Sequence, residues 1–240
     1  SLGILLYNAT SYDCNRIRLD HLELSSADII SPDYIYRPFL ARYGLVHGCM
    51  DNCALKGSIS NGGPTTLWST TGFHYGSVSN FYVEDCTWGP YSNDRIIVCD
   101  GSGNTRYAFR HNAITIPTGV QLSPIFDQHG NQNLQTSACF GAEIYENNID
   151  LSGNTWTTMF YDQRGGKSLV FNNKLIWSSG GGAQTRIREE HQDSEGPGPA
   201  LNAVTGQPQH ISETYYWNNT KNGEEMVPSL VNELGERCDI

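Results

Sequence analysis

Positive charge is scarce in this chain: 15 lysines and arginines stand against 25 aspartates and glutamates, and the formal net charge is −10. Such a surface repels a phosphate backbone, which argues against nucleic acid as a partner. No apolar run approaches the roughly 18 residues of a membrane-crossing helix, so no membrane span is expected. A signal-peptide pattern is missing too. Ser1-Leu2-Gly3-Ile4-Leu5-Leu6-Tyr7 reads as the middle of a strand, which suggests a processing boundary. There is no Gly-x-Ser-x-Gly and no Cys/His spacing that points to a nucleophile. Cys49 and Cys53 have no second ligand pair to make a zinc site with them. Gly165-Gly166-Lys167-Ser168 lacks the opening glycine of a phosphate loop, since Tyr161 stands there. Asp100-Gly101-Ser102-Gly103-Asn104 starts like a calcium loop but lacks the closing acidic ligand.

Turns and β-formers are plentiful. Glycine numbers 25, and Val, Ile, Thr, Tyr and Phe recur in short runs broken by Gly and Asn, the pattern of an all-β chain. Stacking those runs exposes a repeat. Tyr107-Ala108-Phe109-Arg110-His111-Asn112-Ala113-Ile114 is echoed by Glu143-Ile144-Tyr145-Glu146-Asn147-Asn148-Ile149 and by Leu169-Val170-Phe171-Asn172-Asn173-Lys174-Leu175. Phe81 to Trp88 and Cys49 to Leu55 follow it with cysteine in place of asparagine, Tyr215 to Asn219 is a looser last copy, and Ile17 to Leu24 is the first. The result is one column, Cys53, Cys86, Asn112, Asn147, Asn173 and Asn219, at intervals of roughly 26 to 46 residues, as stacked supersecondary units require.

The fold expected from this column is a right-handed parallel β-helix, a solenoid with long loop excursions and without one or both end caps. Each coil lies on the next at about 4.8 Å, because one coil cannot bury its inner face alone. Asparagine suits a turn that needs left-handed geometry, and its amide can bond the asparagines above and below. Cys53 and Cys86 are expected as free thiols on adjacent coils, since parallel Cβ vectors suit a disulfide poorly. Residues 1–240 read as one domain, with a Gly/Pro-rich loop excursion at about 178–212 and a tail at about 222–240. Open ends leave unpaired edges, so self-association through them is expected.

A second column offers chemistry. Ile96 to Gly101, Ile125 to Gly130 and Met159 to Gly166 each run from a short strand through Asp to a Gly turn. In register, Asp100, Asp127 and Asp162 stack with neighbours about 5 Å apart and the outer pair about 10 Å apart. Phe73-His74-Tyr75-Gly76 would put His74 in the same column. His129 and Arg164 sit two residues past their aspartates, on the same face of an extended chain. Carboxylates so close cannot all ionise unless a cation intervenes. Their spacing matches the carboxyl pairs of glycosidases, and it would also suit calcium. The competing explanation is simple capping of strand ends, which Asp-Gly turns provide by default. Arg188-Glu189-Glu190-His191-Gln192-Asp193 reads as a solvated loop, and Trp68, Trp88, Trp156, Trp177 and Trp217 are candidates for sugar stacking or for turn packing.

Asn80 to Thr87, Arg106 to Asn112, Asp127-x-His129-Gly130, Glu143-Ile144-Tyr145 with Asn147-Asn148, Arg164-Gly165-Gly166 and Tyr216 to Thr220 resemble right-handed β-helix proteins of the pectin-lyase-like superfamily, in a group known mainly from bacterial and environmental sequences. The resemblance spans about residues 40–222. It implies an extracellular protein, or one on a cell or virion surface, that binds or cleaves polysaccharide as a lyase or glycoside hydrolase. Asp127, Asp162, His129 and Arg164 would be catalytic, with Asp100, His74, Arg110 and His111 as substrate contacts and calcium as the candidate cofactor. The Asn-Thr-Asp, Asp-Asp, Gly-His-Gly and Arg-Ile-Lys segments of polygalacturonases are not intact here; Gln128-His129-Gly130 echoes only the third. The rival expectation is a non-enzymatic fibre or adhesin module that uses its coils as a rigid scaffold.

Overall fold

Alternation of apolar and polar residues shapes the strands. In Phe81–Glu84 and Lys167–Phe171 every second side chain is buried, as expected when one face of a sheet meets a core. The computed structural model describes residues 4–7, 14–25, 39–42, 46–56, 59–62, 74–89, 99–102, 105–116, 124–130, 138–153, 159–177, 184–188 and 211–230. Among them the chain is all-β, with no helix.

The strands sort into three sheets. The first has eight, from Ile4–Tyr7 to Ser229–Leu230; the second has seven, from Cys14–Asp20 to Thr214–Trp217; the third has eight, from Glu23–Ser25 to Glu224–Glu225. Up to Thr220–Lys221 the chain visits the first, second and third sheet in rotation, so from the fourth strand on each pairs with the third strand before it. The pairings are parallel, save that Thr220–Lys221 meets Glu224–Glu225 antiparallel.

Register turns the inward residues into columns. Met50, Val83, Phe109, Ile144 and Val170 line up on the second sheet, and Leu55, Trp88, Ile114, Ile149 and Leu175 on the third. All ten are buried.

The asparagine column forms a hydrogen-bonded ladder. Asn112 Nδ2 donates to Asn147 Oδ1 (3.1 Å), Asn147 to Asn173 (2.8 Å) and Asn173 to Asn219 (2.7 Å). Each Oδ1 also accepts the backbone N–H of the preceding ladder residue. The copy at Asn219 is as tight as the others. Cysteine continues the line: the Cys86 amide donates to Asn112 Oδ1 (2.9 Å) and the Cys53 amide to Cys86 Sγ (3.3 Å). One expectation needs correction. The left-handed residue is not the ladder residue but the one before it: Asn52, Asp85, His111, Glu146, Asn172 and Asn218 all have φ between 51° and 58°. Turning the chain at that position leaves the next side chain in extended geometry, pointing inward.

Cys53 and Cys86 are free thiols, both buried. Burial is the main cause that pushes the Cys86 thiol up to about 12, and it does the same for Cys49, aided by the Glu84 carboxylate. Since the thiolate is the reactive species, alkylation of Cys49 and Cys86 at pH 8 should be negligible in the native protein and complete after denaturation. Peptide mapping by mass spectrometry reads this directly, and rapid native labelling of Cys86 would contradict the packing.

Two segments differ from expectation. The loop excursion contains a strand, Gln184–Ile187, which pairs with Met159–Gln163 in the first sheet; residues 189–210 lie outside the described residues. Within the expected tail at about 222–240, residues 222–230 are paired, and residues 231–240 lie outside the described residues. Glu224–Glu225 folds back on the third sheet, the Met226 amide bonds the Asn219 carbonyl (2.7 Å), and Ser229–Leu230 pairs with the first sheet.

Candidate functional site

The aspartate column is in register. Asp100 pairs with Asp127, Asp127 with Asp162, and Asp162 with Arg186 on successive strands of the first sheet. The position before Asp100 is Ser60, not His74. His74 is corrected to a turn over the second sheet, where it is exposed and its carbonyl accepts the Ser77 amide. Strand alternation and the Phe126 and Tyr161 side chains in the core leave Asp127 and Asp162 on the outer face. The Asp100 side chain lies outside the described residues.

Asp127, His129, Asp162 and Arg164 do converge. Arg164 Nη2 donates to both Asp127 oxygens at 2.8 Å and Nε reaches Oδ1 at 3.1 Å. The same Nη2 donates to His129 Nδ1 (2.6 Å), which fixes the acceptor nitrogen and leaves Nε2 facing Asp127 Oδ2 at 3.3 Å. Arg164 owes its place to a tight turn. Its amide bonds the Gln128 carbonyl (2.9 Å), and Gly166 (φ 70°) passes so near Cys139 that a Cβ would sit 2.1 Å from that carbonyl oxygen.

Two further arginines complete the cluster. Arg186 donates to Asp162 at 2.9 and 2.6 Å, with Arg188 Nη2 at 3.7 Å and Arg164 Nε at 3.8 Å from the same carboxylate. Arg188 is thus an ion-pairing residue and not part of a solvated loop, and Arg186 carries no signal of its own in the sequence. The usable signal was the register partner of Asp162, hidden in a Gly-flanked stretch that reads as loop.

This environment differs from the open groove expected. Asp127 is 5% exposed, Asp162 3% and Arg164 7%. The intervening cation that stacked carboxylates require is guanidinium. Calcium would need several oxygens converging on one point, whereas here arginine side chains hold those oxygens. Among the described residues no three acidic, histidine or cysteine side chains form a group able to hold a metal ion. The residues present do not fit calcium.

Arg110 and His111 belong to the second sheet and its turn, apart from this cluster. Arg110 donates to Glu84 Oε2 (2.6 Å) and Tyr145 OH (2.8 Å) and lies over the Tyr82 ring. His111 faces Glu146 at 3.1 Å. Of the tryptophans, Trp88 and Trp177 are core, Trp217 stacks on Phe171 at 4.4 Å, and Trp68 and Trp156 lie outside the described residues.

An open groove does exist on the outer face of the third sheet, a place the sequence did not point to. It has a volume of about 560 Å³, and Asn148, Asp150, Lys174, Ile176, Thr220 and Asn222 line it. Register aligns Asn148 with Lys174 and Thr220, and Asp150 with Ile176. Ile176 is 56% exposed. The Ser152 side chain and amide hold the Asp150 carboxyl below its usual range. No helix among the described residues is long and apolar enough to cross a membrane. Family models, curated proteins and solved structures were compared with the chain, and none matches.

Proposed function

We propose that the chain is a right-handed parallel β-helix that binds an uncharged polysaccharide along the outer face of its third sheet, outside the cell or on a cell or virion surface. Rotation of the strands among three in-register parallel sheets supports the coil reading, and crossovers between parallel neighbours are right-handed in nearly all proteins. The location rests on the resemblance to pectin-lyase-like proteins.

The groove carries the binding reading. Its lining is mostly apolar, with Ala113, Ile114, Ile149 and Leu175 beside the exposed Ile176. A few amides, hydroxyls, one lysine and one aspartate stand among them, which suits the apolar face of a sugar with some hydroxyl contacts. The lysine and the aspartate balance in charge, and the net −10 of the chain works against a polyanion. Binding is favoured over cleavage because Asp127 and Asp162 are enclosed by arginines and have little access to a substrate.

A panel of neutral and acidic polysaccharides, with and without calcium, tests this by calorimetry and by assay for cleavage products. Neutral glycans should bind without calcium and stay intact. Replacing both Asn148 and Lys174 with Ala should weaken binding at least about tenfold, the equivalent of one lost hydrogen bond. Cleavage abolished by Asp162→Asn would restore the carboxylate pair, and a panel with no binding at all would leave the rigid-scaffold reading.

A further inference from the structure

Glu143 is the odd residue of the second sheet. Its neighbours Phe109, Ile144 and Val170 face the core, so Glu143 points outward, yet it is only 2% exposed. Residues 74–80 cover it. The Gly76 amide donates to Glu143 Oε1 (2.8 Å), and Asn80 Nδ2 donates to the same oxygen (2.6 Å). The segment is internally braced, with Ser77 bonding the His74 carbonyl and Asn80 bonding the Ser77 carbonyl, while Tyr82 OH donates to Ser77 from below. Its far end is anchored where Tyr75 OH donates to the Glu213 carbonyl (2.5 Å) and the Tyr75 ring packs edge-on against Tyr215. Beneath it, Ala108 is buried on the register position before Glu143 and Leu169 is half-buried on the one after.

We propose that residues 74–80 form a proton-governed latch, closed over the second sheet while Glu143 is protonated and released as Glu143 ionises. Burying a carboxylate under a backbone segment disfavours its charge, and the two N–H donors that favour the charge both meet one oxygen. Desolvation is the largest influence on Glu143 and raises its pKa, against the bonds from Gly76 and Asn80 and the attraction of Arg110. When the latch lifts, Glu143 meets water and returns to an ordinary carboxylate. A pKa higher in the closed state makes closure bind a proton, so closure is favoured at low pH and lost as pH rises through the closed-state value.

The phenols and the guanidinium around Glu143 keep their state across the acid-to-neutral range. Tyr82 and Tyr145 from the sheet and Tyr75 from the latch are all raised above the ordinary phenol value, chiefly by burial, and Arg110 is raised too, by its bonds to Tyr145 and Glu84. Lys167 and Glu213 pair with each other at 2.6 Å. His74, exposed on the latch, is the remaining imidazole, and His74→Asn serves as its control.

Amide hydrogen exchange at Gly76, corrected for intrinsic rates and referenced to the Asn147 amide in the ladder, tests the latch between pH 4.5 and 7.5. Protection should fall with rising pH by up to about tenfold per unit, the limit for one linked proton. Glu143→Gln keeps the accepting oxygen without the charge and should give a flat profile at the acid level, while His74→Asn should keep the wild-type slope. Wild-type protection that is flat or rises with pH overturns the proposal, and the wild-type profile decides even if Glu143→Gln fails to fold. Glycan binding in the third-sheet groove is read separately, so neither result depends on the other.

Discussion

Asp127→Ala should cost about 3–5 kcal/mol of stability, the largest loss expected from a single charged residue in the described structure. Asp127 and Arg164 have side chains only 7% exposed, joined by two bonds of 2.8 Å and one of 3.1 Å. Removing the carboxylate leaves a guanidinium out of water beside His129, with its principal counter-charge gone. The penalty comes from that orphaned charge more than from the lost contact. Replacing both partners with leucine should therefore recover much of the loss. Urea denaturation midpoints of the two variants measure the difference. Glycan affinity of the folded fraction should be unchanged, because the groove lies on another sheet. Unaltered stability combined with lost turnover would return Asp127 to catalysis.

The convergence of Asp127, His129, Asp162 and Arg164 was legible in the sequence because it depends on period alone. Strand-Asp-turn recurs once per repeat, and a residue two positions on returns to the same face. Their burial was not legible. It depends on Arg186, which reaches Asp162 from a four-residue strand between glycine-rich stretches, where composition says loop. His74 failed for a related reason. Proximity in sequence to an aromatic strand suggested the column, but the register position went to Ser60, fourteen residues earlier, and the chain between them includes residues outside those described. The third-sheet groove gave no signal at all, since Asn148, Lys174 and Thr220 are ordinary surface residues until register aligns them.

Fold information was carried differently. The ladder was readable because a buried amide stack needs the same residue at the same turn of every repeat, and cysteine fills the same small space. The left-handed position was misassigned because asparagine commonly occupies both sites, as at Asn172-Asn173 and Asn218-Asn219. His111-Asn112 and Glu146-Asn147 separate the roles: histidine and glutamate take the positive φ, and asparagine alone carries the bonds.

Those bonds make Asn147 a ladder position at which the contribution of the column can be measured. Its Nδ2 donates to the Phe109 carbonyl (3.0 Å) and to Asn173 Oδ1 (2.8 Å), and its Oδ1 accepts both the backbone amide and the side chain of Asn112. Asn147→Ala orphans the Asn112 amide in the interior, at about 1–3 kcal/mol, and removes a second bond from the Phe109 carbonyl. The expected loss is on the order of 2–3 kcal/mol, the upper part of the range for one such group together with the weakened neighbours. Asn147→Cys should cost clearly less. At Cys86 the sulfur already accepts the Cys53 amide at 3.3 Å and donates to the Glu84 carbonyl at 3.1 Å, so a thiol at 147 can restore the acceptor that alanine removes. Thermal melts of the two variants would separate the contributions. Equal losses would mean that the sulfur contributes no useful bond and that the cysteine positions hold by packing alone, whereas a smaller loss for cysteine would show the column to be built on acceptor placement, with asparagine its stronger form.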